Sequence, residues 1–183
     1  MDSQIYIVVF VFAAFWCVFT YNRFIKKKNR LEEAWSGIDV QLKRRSNLIP
    51  NLVDTVKGYA KHEQSTLDKL TQLRTGIDKT ESVTARGSEE GKVSNALRSL
   101  LAVAENYPEL KANSNYLELH KNLDEIEEQI QLSRRYYNGT ARGWNIMVES
   151  FPSNLIANIF HFVQAEYFEL EAVQERAVPR VEL

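Results

Sequence analysis

The sequence is poor in the residues that make turns and covalent cross-links. It contains seven glycines, four prolines and a single cysteine among 183 residues. So few glycines and prolines disfavour a turn-rich β-sandwich or a collagen-like repeat. The lone Cys17 excludes an internal disulfide and leaves no second thiol for a zinc or redox pair. A fold of long helices that is held together by packing is therefore predicted.

The sequence also lacks a surplus of either charge. It has 23 Lys and Arg against 24 Asp and Glu, a formal net charge of −1. Proteins that bind nucleic acid carry basic patches or a strong basic excess, so we expect no nucleic-acid partner. The length suits one domain with a short appendage. We predict a transmembrane anchor at 1–22, a helical bundle domain at 23–165 and a C-terminal tail at 166–183.

One long hydrophobic run is present, from Ile5 to Phe19. With the two residues that follow, it would form a helix of about 25 Å, close to the thickness of the hydrocarbon core. A signal peptide would carry Lys or Arg before the run, but the only charged side chain there is Asp2. A buried core helix is the other alternative. We predict an uncleaved membrane anchor with lipid-facing residues Ile5, Val9, Phe12, Trp16 and Phe19.

A basic cluster follows the apolar run directly. It consists of Arg23, Lys26, Lys27, Lys28 and Arg30. Because cations accumulate on the cytoplasmic side of a span, we expect a single-pass protein of the inner cell membrane with its N-terminus outside and its C-terminal domain in the cytoplasm. The same cations can bind anionic headgroups, so the lipid bilayer is a predicted partner.

Beyond the basic cluster, apolar residues recur at alternating steps of three and four. Eleven of the fifteen positions counted in this way from Phe24 to Leu73 are apolar, and Val53, Ala60 and Leu67 widen the seam. Such a seam favours coiled-coil-like packing in a bundle over a dimeric coiled coil. Pro50 must kink or reverse the helix, and we favour a kink because the seam keeps its phase. The segment is predicted to end at Gly76.

The remaining segments complete an all-α prediction. An exposed loop is expected at Gly76–Gly91 and a helix from Ser88 to about Tyr107, followed by a long helix from Asn115 to Glu149. After Pro152, a short helix with one apolar face either caps the bundle or touches the membrane; that face comprises Leu155, Ile156, Ile159 and Phe160. The predicted architecture is all-α, with an N-terminal transmembrane helix followed by a helical bundle.

Polar residues concentrate near the middle of the two long helices. Arg45 falls on the apolar seam, so an inward-facing guanidinium would need carboxylate or carbonyl acceptors. The polar group forms either a register-fixing polar layer or a recognition patch for an acidic or phosphate group. The members of this polar group are Arg44, Arg45, Asn47, Asn51, Arg134, Arg135 and Asn138. Trp35 and Trp144 are interpreted as core aromatics.

Motifs that would indicate catalysis are missing from the sequence. A di-iron bundle needs Glu-x-x-His pairs, but the residues three before His62, His120 and His161 are Tyr59, Leu117 and Asn158. The sequence has no HExxH, phosphate-loop or dinucleotide glycine motif. His120 and Asp124 are one turn apart and are expected to be solvated. We therefore expect no enzyme activity, no cofactor, no metal and no small-molecule substrate.

Several separated motifs resemble the LemA family. They are the span, the segment YNRFIKKKNRLEEAWSGIDVQLKRRSNLIPNLVDTVKGYAKHE, the link YPELKAN, and the motifs RRYYNGTARGWN and FPSNLIANIFHF. The resemblance implies a bacterial single-span protein whose transmembrane helix is followed by an up-and-down, four-helix-type antiparallel bundle, with no established enzymatic activity. We expect a membrane-anchored scaffold that self-associates or recruits other membrane-associated proteins. The alternatives are a metal-dependent or hydrolytic enzyme with a bundle cavity, and an envelope- or lipid-acting protein whose domain lies outside the cytoplasm.

Overall fold

A computed structural model describes residues 2–60, 63–76 and 82–169. Over these ranges the chain forms six α-helices and no β-strand, which confirms the all-α prediction. The helices are α1 (Asp2–Lys57), α2 (Gln64–Gly76), α3 (Val83–Ala104), α4 (Pro108–Lys111), α5 (Ser114–Glu149) and α6 (Ser153–Ile159). His62 and most of the predicted tail, residues 170–183, lie outside the described residues.

The described chain falls into two compact units. The first unit contains the residues up to Ile38 together with Ser133–Glu166. The second unit contains Asp39–Leu132 and the described residues from Tyr167. The long helices α1 and α5 each contribute one part to each unit.

Helix α1 continues through Pro50, so the alternative of a reversal there is wrong. A single helical segment up to Gly76 is also wrong, because α1 ends at Lys57 and a separate helix, α2, runs from Gln64 to the predicted end at Gly76. Gly58 follows the last helical residue directly, and glycine destabilises a helix interior by about 1 kcal/mol relative to alanine. The seam keeps its phase because buried side chains continue on both sides of the break, at Val56, Ala60, Leu67 and Leu70.

Helix α3 begins five residues before the predicted start at Ser88. The Ser82 hydroxyl caps it by accepting a hydrogen bond from the Ala85 N–H at 3.1 Å. The predicted loop at Gly76–Gly91 is therefore too long, and residues 77–81 lie outside the described residues. Gly87 and Gly91 favoured a loop in the sequence, but both are buried within the helix.

Helix α5 agrees with the predicted helix to within one residue at its start. The alternating pattern corresponds to its buried stripe, with Tyr116, Leu123, Ile126 and Ile130 in the second unit. The larger core of that unit also buries residues of α1, α2 and α3 that the seams predicted, namely Ile49, Leu52, Val56, Leu67, Leu70, Val93, Leu97, Leu100 and Ala104.

The core of the first unit is dominated by aromatic rings. Phe24 meets Trp144 edge to face with ring centroids 5.6 Å apart and stacks on Phe162 at 4.7 Å. Trp35 lies in T-shaped contact with Tyr137 at 5.5 Å. Such pairs stabilise a core beyond the area they bury. Trp144 is a buried core aromatic, as the sequence predicted, and Trp35 is half-buried beside Tyr137.

Helix α6 follows α5 after a tight turn in which the Ser153 hydroxyl donates to the Met147 carbonyl at 2.7 Å. Only Ile156 of the predicted apolar face is buried, together with Ala157, while Leu155, Ile159 and Phe160 remain exposed. The predicted apolar face is therefore only partly buried, and its two alternatives, a cap on the bundle and a membrane contact, stay predictions. A helix of seven residues has room to bury only a narrow stripe.

The chain leaves α6 through a glycine-free Schellman turn. His161 has φ of 54°, and the Phe162 N–H donates to the Ala157 carbonyl at 2.9 Å. An extended segment then runs beside α5, where the Trp144 indole donates to the Val163 carbonyl at 2.7 Å. The Asn145 amide makes two hydrogen bonds with the backbone of Ala165, at 2.7 and 3.0 Å.

Candidate functional site

Most of the apolar run of α1 is uncovered by the rest of the described chain. Ile5, Val9, Phe12 and Phe19 expose between 57% and 73% of their surface. Among the described residues, α1 is the one helix long and apolar enough to cross a bilayer, with a window of mean hydropathy 2.0 that is 6% buried. Trp16 differs from the other four predicted anchor residues because it is half-buried against the aromatic core of the first unit.

The basic cluster begins one turn after the apolar run. Arg23, Lys26, Lys28 and Arg30 are exposed, whereas Lys27 is half-buried and lies over Gly143 of α5. Burial lowers the pKa of Lys27, and the neighbouring charges of Arg23 and Arg30 lower it further. The basic cluster therefore places several positive charges close together, and anionic groups would stabilise them.

Arg45 lies at the centre of a buried ion cluster in the second unit, with 1% of its side chain exposed. Its guanidinium forms an ion pair with the Glu90 carboxylate of α3 and a second with Glu127 of α5, whose oxygen is 2.6 Å away. It also donates to the Ser94 hydroxyl at 2.7 Å and to the Glu90 carbonyl at 3.3 Å. A buried arginine requires such acceptors, and three helices are joined through them.

Arg86 completes the surroundings of Glu90. Its Nε donates to the second Glu90 carboxylate oxygen at 3.1 Å, and its guanidinium lies 3.7 Å from Asp39. The two Glu90 oxygens are therefore held by two different arginines. Because these charges satisfy one another, the cluster is a polar layer within a helical core.

The other residues of the predicted polar group do not join this cluster. Arg44, Asn47 and Asn51 are exposed on α1, and Arg44 donates to Gln41 at 3.2 Å. Arg134, Arg135 and Asn138 belong to the first unit, where Arg135 is exposed and the other two are half-buried. Of the seven residues in this group, Arg45 is the one that the structure places in the ion cluster.

Two tyrosines of α5 have raised pKa values. Burial raises the pKa of Tyr137, and the charge of Glu166 raises it further. The Tyr137 hydroxyl donates to the Glu166 carbonyl at 3.0 Å. Burial also raises the pKa of Tyr116, with contributions from Glu105 and Asp124. Both hydroxyls therefore stay neutral in the folded chain, and both tyrosines are buried core residues.

The comparison with protein families agrees with these features. The model of the LemA family matches residues 34–183. The chain belongs to the LemA family. The resemblance predicted from the separated motifs is thus confirmed.

Relatives of this LemA-family chain include proteins of two kinds. Magnetosome protein MamQ 2 of Paramagnetospirillum magneticum is 29% identical over 175 residues, which cover 81% of this chain and 64% of that protein. Protein LemA of Metamycoplasma hominis is 28% identical over 167 residues, which cover 88% of this chain and 74% of that protein. Magnetosome protein MamQ of Magnetospirillum gryphiswaldense is 28% identical over 174 residues, with coverage of 81% and 64%. The LemA-family chain spans less than two thirds of the magnetosome proteins' length.

The partners of Arg45 escaped the sequence prediction, although a signal for them exists. When the α3 seam through Val93 and Leu97 is extended backwards in steps of three and four, it reaches Glu90 and then Arg86. In this LemA-family chain Arg86 fell inside the predicted loop, and Glu90 fell where that loop overlaps the predicted helix that opens at Ser88. Glu127 follows the buried Ile126 and lies at the edge of the α5 stripe.

No group of three or more His, Cys, Asp or Glu within the described ranges is placed to hold a metal. The His120 ring nitrogen lies 3.7 Å from the Asp124 carboxylate, and both side chains are exposed to water. Two ligands on an exposed helix face are fewer than a structural zinc site uses.

Proposed function

We propose that this LemA-family chain is a membrane-anchored helical scaffold. In this proposal the first part of α1 spans the inner cell membrane, and the rest recruits further copies of itself or other membrane-associated proteins. The observation that carries the proposal is the apolar surface of Ile5–Phe15, whose large side chains are exposed in the described part of the chain. A patch of that size is unfavourable in water, whereas the hydrocarbon core of a bilayer accommodates it.

The proposed orientation follows from the basic cluster. Arg23, Lys26, Lys28 and Arg30 project into solvent directly after the apolar run, and cations are retained on the cytoplasmic side of a span. The N-terminus then lies outside the cytoplasm and the helical units lie within it. Anionic headgroups at the inner leaflet would also relieve the crowding of charges around Lys27.

The buried ion cluster favours a scaffold over an enzyme. Arg45 and Arg86 balance the charges of Glu90 and Glu127, and the ion pairs of Arg45 join three helices. A catalytic or ligand-binding group would instead be aimed at a cavity that admits a substrate. We therefore propose a structural role for this cluster and no catalytic activity for the chain.

Deletion of residues 2–22 tests the anchor. We expect the full chain to sediment with membranes and to resist extraction by alkaline carbonate, because its apolar run lies in the bilayer. The deletion variant should move to the soluble fraction, and Val9→Arg with Phe12→Arg should weaken retention because each midplane arginine costs about 2.5–3.5 kcal/mol. Leu117→Arg, at an exposed position of α5, is the matched control. Unchanged fractionation of the deletion variant would refute the proposal.

The same membranes report the orientation. In a Cys17→Ser background, a cysteine at exposed Arg135 should react with an impermeant maleimide only after the cells are permeabilised. Labelling in intact cells would place the helical units outside the cytoplasm and favour an envelope-acting protein.

Self-association is tested in intact membranes with an amine-reactive crosslinker and with differently tagged copies. A scaffold should give discrete species larger than the monomer, and one tagged copy should recover the other or a defined set of membrane-associated proteins. A strictly monomeric chain without partners, measured in membranes and in mild detergent, would contradict the scaffold while leaving the anchor intact.

A further inference from the structure

We propose that α6 and its flanks form a second, interfacial membrane contact, which rests on the proposed anchor. The contact surface consists of Phe151, Leu155, Ile159, Phe160 and Val163, and we call it the α6 apolar surface. These five side chains have exposed fractions from 49% to 79%. Its occupant is the headgroup and upper acyl region of the same bilayer that α1 enters.

Ring contacts place the α6 apolar surface at the membrane end of the first unit. The ring of Phe160 lies 4.6 Å from that of Tyr21, two residues after the apolar run. Phe162, next along the extended segment, contacts Tyr21 at 6.1 Å and stacks on Phe24. Tyrosine is enriched at the membrane interface, so Tyr21 marks the expected level of the headgroups.

The packing extends into the apolar run itself. Thr20 is buried, and Trp16 is half-buried against the core that contains Ile156 and Ala157 of α6. Trp16 lies about 7 Å from Tyr21 along the axis of α1, in the direction of the N-terminus and the bilayer, at 1.5 Å per residue. A body that covers Trp16 at this level must itself enter the interfacial region when Ile5–Phe19 is embedded.

The composition of this part of the chain suits a lipid interface. Residues 150–165 contain no Asp, Glu, Lys or Arg, whereas 26% of the whole chain is charged. Apart from the N-terminal run, no stretch of comparable length lacks charge. Buried Ile156 and Ala157 attach α6 to the core, whereas Leu155, Ile159 and Val163 keep 49% to 75% of their surface exposed. A segment without charged side chains avoids the cost of placing a charge near the hydrocarbon region.

The α6 apolar surface is held on a fixed support. The Schellman turn at His161 directs Phe162 into the aromatic core, and the bonds of Trp144 and Asn145 hold the segment that follows. Because the backbone is already ordered, membrane contact needs little further loss of conformational entropy. Continuity with the lipid-facing run favours lipid as the occupant over a second protein.

Environment-sensitive labels test the proposal on the full chain. In a Cys17→Ser background, single cysteines at Leu155 and Val163 carry NBD in vesicles of phosphatidylcholine and phosphatidylglycerol. We expect blue-shifted emission and at least about threefold stronger quenching by doxyl-labelled lipids than at Tyr136→Cys, since interfacial segments sink about 5–10 Å into the boundary. Tyr136 is an exposed residue of α5 in the same unit and is the matched control.

A charge-insertion variant separates lipid contact from local burial. Ile159→Glu should reduce lipid quenching at Leu155→Cys by more than half without altering flotation of the protein, because a carboxylate opposes interfacial insertion. If the protein floats with the vesicles but NBD at Leu155→Cys and at Val163→Cys is as water-exposed as NBD at Tyr136→Cys, this proposal is overturned and the anchor is not. Labels shielded equally in lipid-free detergent, with crosslinks between copies, would assign the surface to protein contact and also overturn it. Failure of the protein to float would refute the anchor and this proposal together.

Discussion

Replacing Arg45 with methionine is expected to lower the free energy of unfolding by about 3–5 kcal/mol, because it leaves a buried carboxylate without its main partner. Glu90 is almost wholly buried, so water cannot replace the lost guanidinium. Glu127 exposes 31% of its side chain and can be hydrated in part. The penalty should therefore come mainly from Glu90.

Arg86 decides how the losses of unfolding free energy rank in a series of variants. Arg86 still pairs with Glu90 after the substitution, so Arg45→Met should act near the lower end of that range. Glu127→Gln should cost less, about 1–2 kcal/mol, since it keeps the shape and loses one charge-assisted bond. Combining Arg45→Met with Glu90→Met should recover part of the loss, because apolar replacements of a buried ion pair are often neutral or stabilising.

Chemical denaturation followed by circular dichroism measures these differences on detergent-solubilised protein. Arg44→Met is the matched control, since Arg44 is the exposed neighbour on the same helix and should change stability by less than about 0.5 kcal/mol. If Arg45→Met unfolds at the same denaturant concentration as Arg44→Met, the ion cluster does not stabilise the fold. If the double variant is less stable than either single variant, the two residues are not coupled as described.

The sequence predicts those features that depend on local periodicity. The stripe of α5 and the seam of α1 were visible because a helix repeats every 3.6 residues, so burial is encoded at fixed spacing. The apolar run of α1 was visible because a membrane span requires a long series of consecutive apolar residues. Arg45 could be assigned to the interior because it interrupts a seam of apolar residues.

Features that depend on contacts between distant segments were not predicted. Nothing within a few residues of Arg45 indicates that Glu90 and Glu127 will meet it, because their positions are fixed by the packing of three helices. The early start of α3 was missed because Gly87 and Gly91 resemble loop residues. The need for glycine at position 87 arises from a chain segment eighty-two residues away.

Substitution of Gly87 by alanine is the second change with a large expected effect. A Cβ atom at this position would overlap the backbone carbonyl oxygen of Glu169 and lie 3.0 Å from its carbon. Backbone cannot yield as the end of a flexible side chain can, so either α3 or the segment at Tyr167–Glu169 must move. Overpacking of this kind costs about 1–3 kcal/mol.

Phe168 makes the displacement more expensive. The Phe168 side chain is fully buried. Because Phe168 precedes Glu169 directly in the chain, a shift of Glu169 would withdraw this side chain from its site. Complete loss of a buried phenylalanine costs about 3–5 kcal/mol. We therefore expect Gly87→Ala to destabilise the second unit by about 2–3 kcal/mol and to increase amide exchange at Phe168 and Glu169.

Two comparisons separate close packing from the intrinsic effect of the substitution. Gly139→Ala, in α5, places a Cβ with nothing within 4 Å and should stabilise the helix by about 0.5–1 kcal/mol. Gly87→Ala gains the same helix propensity, so only the contact with Glu169 can make it destabilising. In a double-mutant cycle with Phe168→Ala, the two losses should be less than additive, since both release the same segment. Strict additivity, or a stabilising Gly87→Ala, would show that the segment does not pack against α3 as closely as the structure places it.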